Sequence, residues 1–244
     1  MTFYIPRMHK TITSAALALV AASAQGATLL SDWDSSLDLG LTLTRGNSDT
    51  SLFTTNYKAQ KKVDQDEYFT GIGYTFGQDT GSTITDELTG FFNWNRLVSD
   101  SDYFGLKLEG RKDAIANIDY RLQGSALYGH YFIKNDTTNF SVEGGPGFTT
   151  VSLGGVETNT SHVYVGEKAS HKLTDNTNLT QSFSGYASLD DLDRYNMVFN
   201  IGVDTAMSES MSLKVFLENK YESTPAAGST NNDLRLVSGI SYKF

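Results

Sequence analysis

The chain has no cysteine, three prolines, two tryptophans and four histidines in 244 residues. Without cysteine it has neither disulfide staples nor thiolate metal sites. The scarcity of proline, beside 22 glycines, 13 tyrosines and 14 phenylalanines, favours sheet over a helix bundle. Basic residues are also few, 19 against 28 acidic ones for a formal net charge of −9. That balance argues against a nucleic-acid partner, which needs a basic face to neutralise phosphates. Nor is there an apolar run approaching the ~20 residues of a membrane-spanning helix.

The N-terminus, MTFYIPRMHKTITSAALALVAASAQG, has Arg7 and Lys10, an apolar stretch from Ala15 to Ala22, and then small residues. This is the pattern of a secretory signal peptide spanning 1–24, with Ala22 and Ala24 forming the cleavage site. Cleavage after Gly26 and a start at Met8 are alternatives. Removing 1–24 deletes two basic charges and no acidic ones, so the mature chain carries −9 − 2 = −11. The remaining chain divides into a short periplasmic lead, 25–32, and one β domain, 33–244.

From Trp33 onward the chain reads as strands of roughly ten residues separated by turn signals. Five turns are very short and rich in Asp, Asn, Ser and Thr, near Asp64, Ser99, Asn135, Thr174 and Ser208. They alternate with longer or glycine-richer ones at Arg45, Gly77, Arg111, Leu153, Leu189 and Ser223. The short kind recurs roughly every 36 residues, one hairpin per period. The pattern predicts about twelve antiparallel strands.

Within the strands, apolar and polar residues alternate. Leu37, Leu39 and Leu41 interleave with Asp38, Gly40 and Thr42, and Leu213, Val215 and Leu217 with Lys214 and Glu218. Successive side chains point to opposite faces of a strand. The apolar face therefore meets either a second sheet, as in a soluble sandwich, or lipid, as in an outer-membrane barrel. Three features favour lipid: the export signal, strand lengths suited to crossing a bilayer at a tilt, and aromatics gathered at the short-turn ends. The latter are Trp33, Tyr68, Trp94, Phe104, Phe132 and Phe140, positioned as an interfacial girdle. One strand is irregular: Glu167 and His171 fall on its apolar side, which predicts a bulge that resets the register. The expected fold is an all-β, antiparallel transmembrane barrel of about twelve strands, with short turns on the periplasmic side and longer loops outside. The final strand, LRLVSGISYKF, ends on alternating apolar residues with Tyr242 and Phe244. This resembles the assembly signal of bacterial outer-membrane proteins, read by the barrel-assembly machinery.

Several segments together carry a more specific resemblance: LGLTLTRGNSDT (39–50), EGGPGF (143–148), KLTDNTNLTQ (172–181), RYN (194–196) and LENKYESTP (217–225) followed by SGISYKF. In order and spacing they are similar to a bacterial domain-of-unknown-function family whose members are called salt-induced outer membrane proteins. The resemblance covers 33–244 and implies an outer-membrane barrel of Gram-negative bacteria, with no activity to carry onto particular residues.

Alternation alone assigns the charges Lys107, Glu109, Arg111, Arg121, Glu143, Arg194, Asp204, Lys214, Glu218, Lys220 and Arg235 to the interior, with Asp38 and Lys243. They either line a narrow polar conduit for small hydrophilic solutes or pair into a plug; about twelve strands enclose more space than the eight whose interior side chains can fill. Catalysis has little support. The mature histidines are His130, His162 and His171; His162 falls near the outer end of its strand, as does the external loop with Asp190, Asp191 and Asp193, so an Asp/His pair of an outer-membrane hydrolase is the alternative. No nucleophile, base and orienting group share a motif. The acidic loops at Gly77 and Leu189 do not match the twelve-residue calcium loop with its glycine and terminal glutamate. No cofactor is expected; the expected partners are outer-membrane lipid and the assembly machinery.

Overall fold

The computed structural model describes residues 32–43, 50–225 and 230–244. The expected signal segment 1–24 and all but the last residue of the lead 25–32 lie outside the described residues. Twelve strands follow one another: β1 (Asp34–Leu43), β2 (Thr50–Val63), β3 (Asp66–Asp79), β4 (Ser82–Leu97), β5 (Asp102–Asp113), β6 (Ile118–Lys134), β7 (Thr138–Leu153), β8 (Val156–Thr174), β9 (Thr177–Ser188), β10 (Tyr195–Ala206), β11 (Met211–Glu222) and β12 (Asn232–Lys243). Each pairs antiparallel with its sequence neighbours, and β1 pairs with β12, so the sheet is a closed barrel. Closure removes every free edge. The chain ends inside this seam: Ser36 faces Lys243 and Gly40 faces Gly239, while the Phe244 amide donates to the Ser35 carbonyl at 3.1 Å.

The pleat sorts side chains into an outer and an inner set. Leu41 is 56 % exposed and Leu236 62 %, in company with Leu106, Leu108, Leu122, Val165 and Leu213. A continuous apolar belt of this size is stable against hydrocarbon and not against water. At the short-turn end the belt finishes in aromatic pairs: Trp33 with Tyr68 at 6.1 Å, Phe104 with Tyr128 at 5.6 Å, and Phe132 with Phe140 at 5.7 Å between ring centroids. Phe244 joins that rim, lying 6.2 Å from the Tyr57 ring and 5.9 Å from Tyr242.

Two expectations need correction. The strands run from 10 to 19 residues, longer than the spacing suggested, because two of the glycine-rich loops are two-residue hairpin turns. Thr80 and Gly81 have φ of 48° and 83°, and Gly154 and Gly155 have 55° and 82°. Two successive positive φ values match the right-handed twist of the flanking strands, so pairing continues to Asp79↔Ser82 and Leu153↔Val156. The other correction concerns β8. It pairs with β7 in unbroken register from Val156 to His171, and its irregularity comes later, between Lys172 and Thr174. Glu167 therefore stays on the outer face, where it accepts a 3.1 Å hydrogen bond from Gln181 Nε2. The local pair satisfies one carboxylate oxygen without a change of register.

Candidate functional site

Alternation places Lys107, Glu109 and Arg111 of β5 on the same inner parity as Arg121 of β6 and Glu143 of β7, and register carries this to Asp204, Lys214, Glu218, Lys220 and Arg235. Arg194 is not among them. It lies in the β9–β10 loop, half exposed, and pairs with Asp191 at 3.3 Å; β10 begins only at Tyr195, so strand parity does not govern it.

The inner charges form three groups. The first crosses the lumen near the end bearing the β5–β6 and β11–β12 loops. Its centre is Glu87 of β4, whose side chain is 3 % exposed. Its carboxylate takes Lys220 Nζ at 2.8 Å on both oxygens, Arg235 at 3.3 Å, and Arg111 Nε at 2.9 Å. Arg111 comes from the adjacent strand, but Lys220 and Arg235 come from β11 and β12. Around the ring β4 reaches β11 through β3, β2, β1 and β12, so these bonds span the interior. Arg121 of β6 makes a second crossing to Glu222 of β11. Asp113 closes on Arg111 at 2.6 Å, and Asp233 on Arg235 at 2.5 Å.

The second group lies towards the short-turn end, where Asp38 receives Lys214 at 2.8 Å and Lys58 at 3.3 Å, and Lys214 also approaches Asp204 at 3.6 Å. These four come from β1, β2, β10 and β11 and follow the wall.

The third group fills the β5–β9 side with tyrosine. Tyr103, Leu127, Tyr164 and Tyr186 form a buried cluster. Glu143, also buried, accepts from Tyr103 at 2.6 Å, from Tyr164 at 2.9 Å and from Lys168 at 3.3 Å. Lys107 stands 5.3 Å over the Tyr164 ring and pairs with Glu109 at 2.8 Å, and Glu109 accepts the Tyr186 hydroxyl. Glycines make the room. A Cβ on Gly129 would lie 2.1 Å from the Tyr103 ring, and one on Gly166 would lie 2.1 Å from the Tyr164 hydroxyl. Large residues on the polar face are thus seated flat against a bare backbone.

Beside this wedge a cavity of about 1110 Å³ remains. Its wall runs from Thr230 and Asn231 near the loop end to Asp38 and Asp204. The lumen is therefore filled by the tyrosine cluster on one side and hollow beside it.

Sequence reasoning missed Glu87. The alternation Thr85, Glu87, Thr89 was there to be read, but a loop expected at Gly77–Thr83 cut β4 short, and Asp86 on the opposite face blurred the pattern. His162 does not meet the loop acids. It is buried in the wall, with Nε2 2.8 Å from Ser125 Oγ and Nδ1 2.9 Å from Thr149 Oγ1. Ser125 and His162 are each 2 % exposed and lie outside the cavity wall, so the pair fastens β6, β7 and β8 together. Among the described residues no three His, Asp or Glu side chains are grouped to hold a metal ion.

A closed twelve-strand antiparallel ring with a lipid-facing exterior and a polar interior is a β-barrel of the outer-membrane type. The chain belongs to the DUF481 family, described as proteins of unknown function, whose profile matches residues 37–244. No curated protein sequence matches it. Among solved structures it is similar to the NanC porin, with 9 % identity, a TM-score of 0.56, and coverage of 86 % of this chain and 100 % of that one. It is also similar to an outer membrane channel from Pseudomonas putida F1, with 9 % identity, a TM-score of 0.54, and coverage of 87 % and 95 %. At such identity the likeness is one of fold.

Proposed function

We propose that the protein is an outer-membrane channel giving small hydrophilic solutes passage through the open side of its lumen. The observation that carries this reading is the cavity of about 1110 Å³, bordered by charged and neutral polar side chains with apolar ones between them and pinched by the Glu87 crossing. A barrel meant only as a structural wall would gain stability by filling that space, since interiors pack densely and voids cost contacts. Here filling is one-sided: the tyrosines occupy one side and leave the other open. The long-loop end faces the exterior and the short-turn end the periplasm, as is usual for barrels of this class.

The test is single-channel recording of the refolded mature chain in a planar bilayer, with heat-modifiable gel migration confirming folding. Discrete current steps support a channel; a folded barrel that passes neither ions nor small solutes rejects it. Arg121→Glu is expected to shift the reversal potential towards cations, because it sets a carboxylate against Glu222, Arg121's partner across the lumen. An unchanged potential would remove Arg121 from the conducting path.

A second proposal concerns assembly. Tyr242 and Phe244 face outward at the rim, where the barrel-assembly machinery could read them before closure. Deleting Phe244 is expected to lower the yield of folded barrel in cells while leaving refolding in detergent nearly intact. Equal losses in both would make Phe244 a packing residue only.

A further inference from the structure

The charges that line the cavity have already chosen their partners. Fourteen ionisable Lys, Arg, Asp and Glu residues border it: the bases Lys58, Arg111, Arg121, Lys214, Lys220 and Arg235, with eight acids. Every base is paired: Lys58 and Lys214 with Asp38, Arg111, Lys220 and Arg235 with Glu87, and Arg121 with Glu222. Each acid has a partner too, including Asp113 with Arg111, Asp204 with Lys214, Asp233 with Arg235, and Glu218 with Lys220. Glu109 is held by Lys107. The eight acids share seven cations, Lys107 included, so an entering anion finds no free counter-charge and an entering cation finds one surplus negative charge at most. Either would lose water and regain little, unless it broke a pair and left another charge stranded at considerable cost.

What the cavity does offer is neutral. Asn56, Thr75, Thr89, Ser182, Ser184 and Asn200 line it, supplying hydroxyl and amide donors and acceptors. Asn196 also lines it, and its Oδ1 is buried without a hydrogen-bond partner among the described residues. Such an acceptor is costly unless something donates to it. Besides Tyr186 and Tyr221, two phenylalanine rings stand among these groups, Phe91 of β4 and Phe216 of β11. They break the apolar-out rule and come from walls separated by β3, β2, β1 and β12. Each is set beside a glycine: a Cβ on Gly71 would lie 2.5 Å from the Phe91 ring, and one on Gly202 would lie 2.6 Å from Phe216 Cβ. Amides and hydroxyls around a few apolar faces suit a molecule with many hydroxyls and C–H faces.

We propose that the lumen binds an uncharged polyhydroxylated solute of sugar type, held by the Asn, Ser and Thr groups between Phe91 and Phe216, and that the self-paired charges disfavour its ionised analogues. This inference rests on the channel reading and deepens it.

Single-channel current through the refolded mature chain tests it, with glucose, glucuronate and glucosamine as added blockers of one size and three charges. Glucose is expected to reduce the current in a saturable way at concentrations several-fold lower than either charged analogue. The double variant Phe91→Ala, Phe216→Ala is expected to raise the half-blocking glucose concentration several-fold while keeping heat-modifiable folding. Because that variant also widens the lumen, block is the better readout than flux. Current that glucose leaves unaffected, or that glucuronate or glucosamine blocks equally well, overturns the sugar proposal and leaves the channel standing. If the folded barrel carries no resolvable ion current, swelling of liposomes in the same three solutes decides. Swelling in glucose alone supports the inference, and none in any solute overturns both readings.

Discussion

Glu87→Ala is expected to produce the largest change in conductance of any single substitution in this barrel. The wild-type carboxylate is 3 % exposed and holds Arg111, Lys220 and Arg235 from three other strands. Removing it deletes both crossings that Glu87 makes to β11 and β12, so the pinch opens. It also leaves three cations facing one another, with Asp113, Glu218 and Asp233 as their remaining partners. The lumen gains one positive charge, so current should rise several-fold and the reversal potential should move towards anions. Breaking a buried pair by removing one partner costs about 3–5 kcal/mol, so heat-modifiable migration should also be lost at a lower temperature. Glu87→Gln separates the two effects, because it keeps the shape and removes the charge: it should shift selectivity with a smaller rise in current. If Glu87→Ala conducts as the wild type does, the crossing is not the constriction.

Gly129→Ala should act on stability and leave selectivity alone. The added Cβ would sit 2.1 Å from the Tyr103 ring and 2.5 Å from its hydroxyl. Tyr103 is 1 % exposed and is anchored by its 2.6 Å hydrogen bond to Glu143, so it cannot swing away cheaply. Overpacking of this kind costs about 1–3 kcal/mol, and the buried carboxylate would lose one donor if the ring moved. The expected result is a lower unfolding midpoint for the detergent-refolded barrel, with Tyr103→Leu in the same chain recovering part of the loss by making room. If Gly129→Ala refolds with an unchanged midpoint, the ring adjusts freely and the wedge is not rigid. The contrast between the two variants is informative in itself, since one acts on the open side of the lumen and the other on the filled side.

Much of this architecture follows from short-range pattern. Leu213, Val215 and Leu217 against Lys214 and Glu218 fix the faces of β11 with no help from the rest of the molecule, because a one-residue slip would turn every leucine inward. Turn chemistry sets the hairpin count, and an even number of antiparallel strands lets the last meet the first. Closure, the outward belt and the aromatic rim were legible on that basis, and so was the inward direction of most of the charged residues. Thr80-Gly81 and Gly154-Gly155 were harder to read, because glycine marks a turn without saying how many residues it uses. Their left-handed backbone is visible only once the strands are paired.

Strand alternation in the sequence by itself determined which residues share a face, and so that the outside is apolar and the inside charged. It could not determine which charges meet. Lys220 and Glu87 are 133 positions apart, and Arg121 and Glu222 are 101. Such partners are matched only by the diameter and stagger of the closed ring, which no local rule encodes. Periodicity puts Phe91, Tyr103 and Tyr164 on the inner face but does not say that their rings fit there. They fit because Gly71, Gly129 and Gly166 leave bare backbone beside them, and that complementarity exists only between neighbouring residues of the folded wall. Whether a barrel of this size is plugged or open was therefore decided by tertiary structure: tyrosines close one side, and two carboxylates, Glu87 and Glu222, hold the crossings on the other.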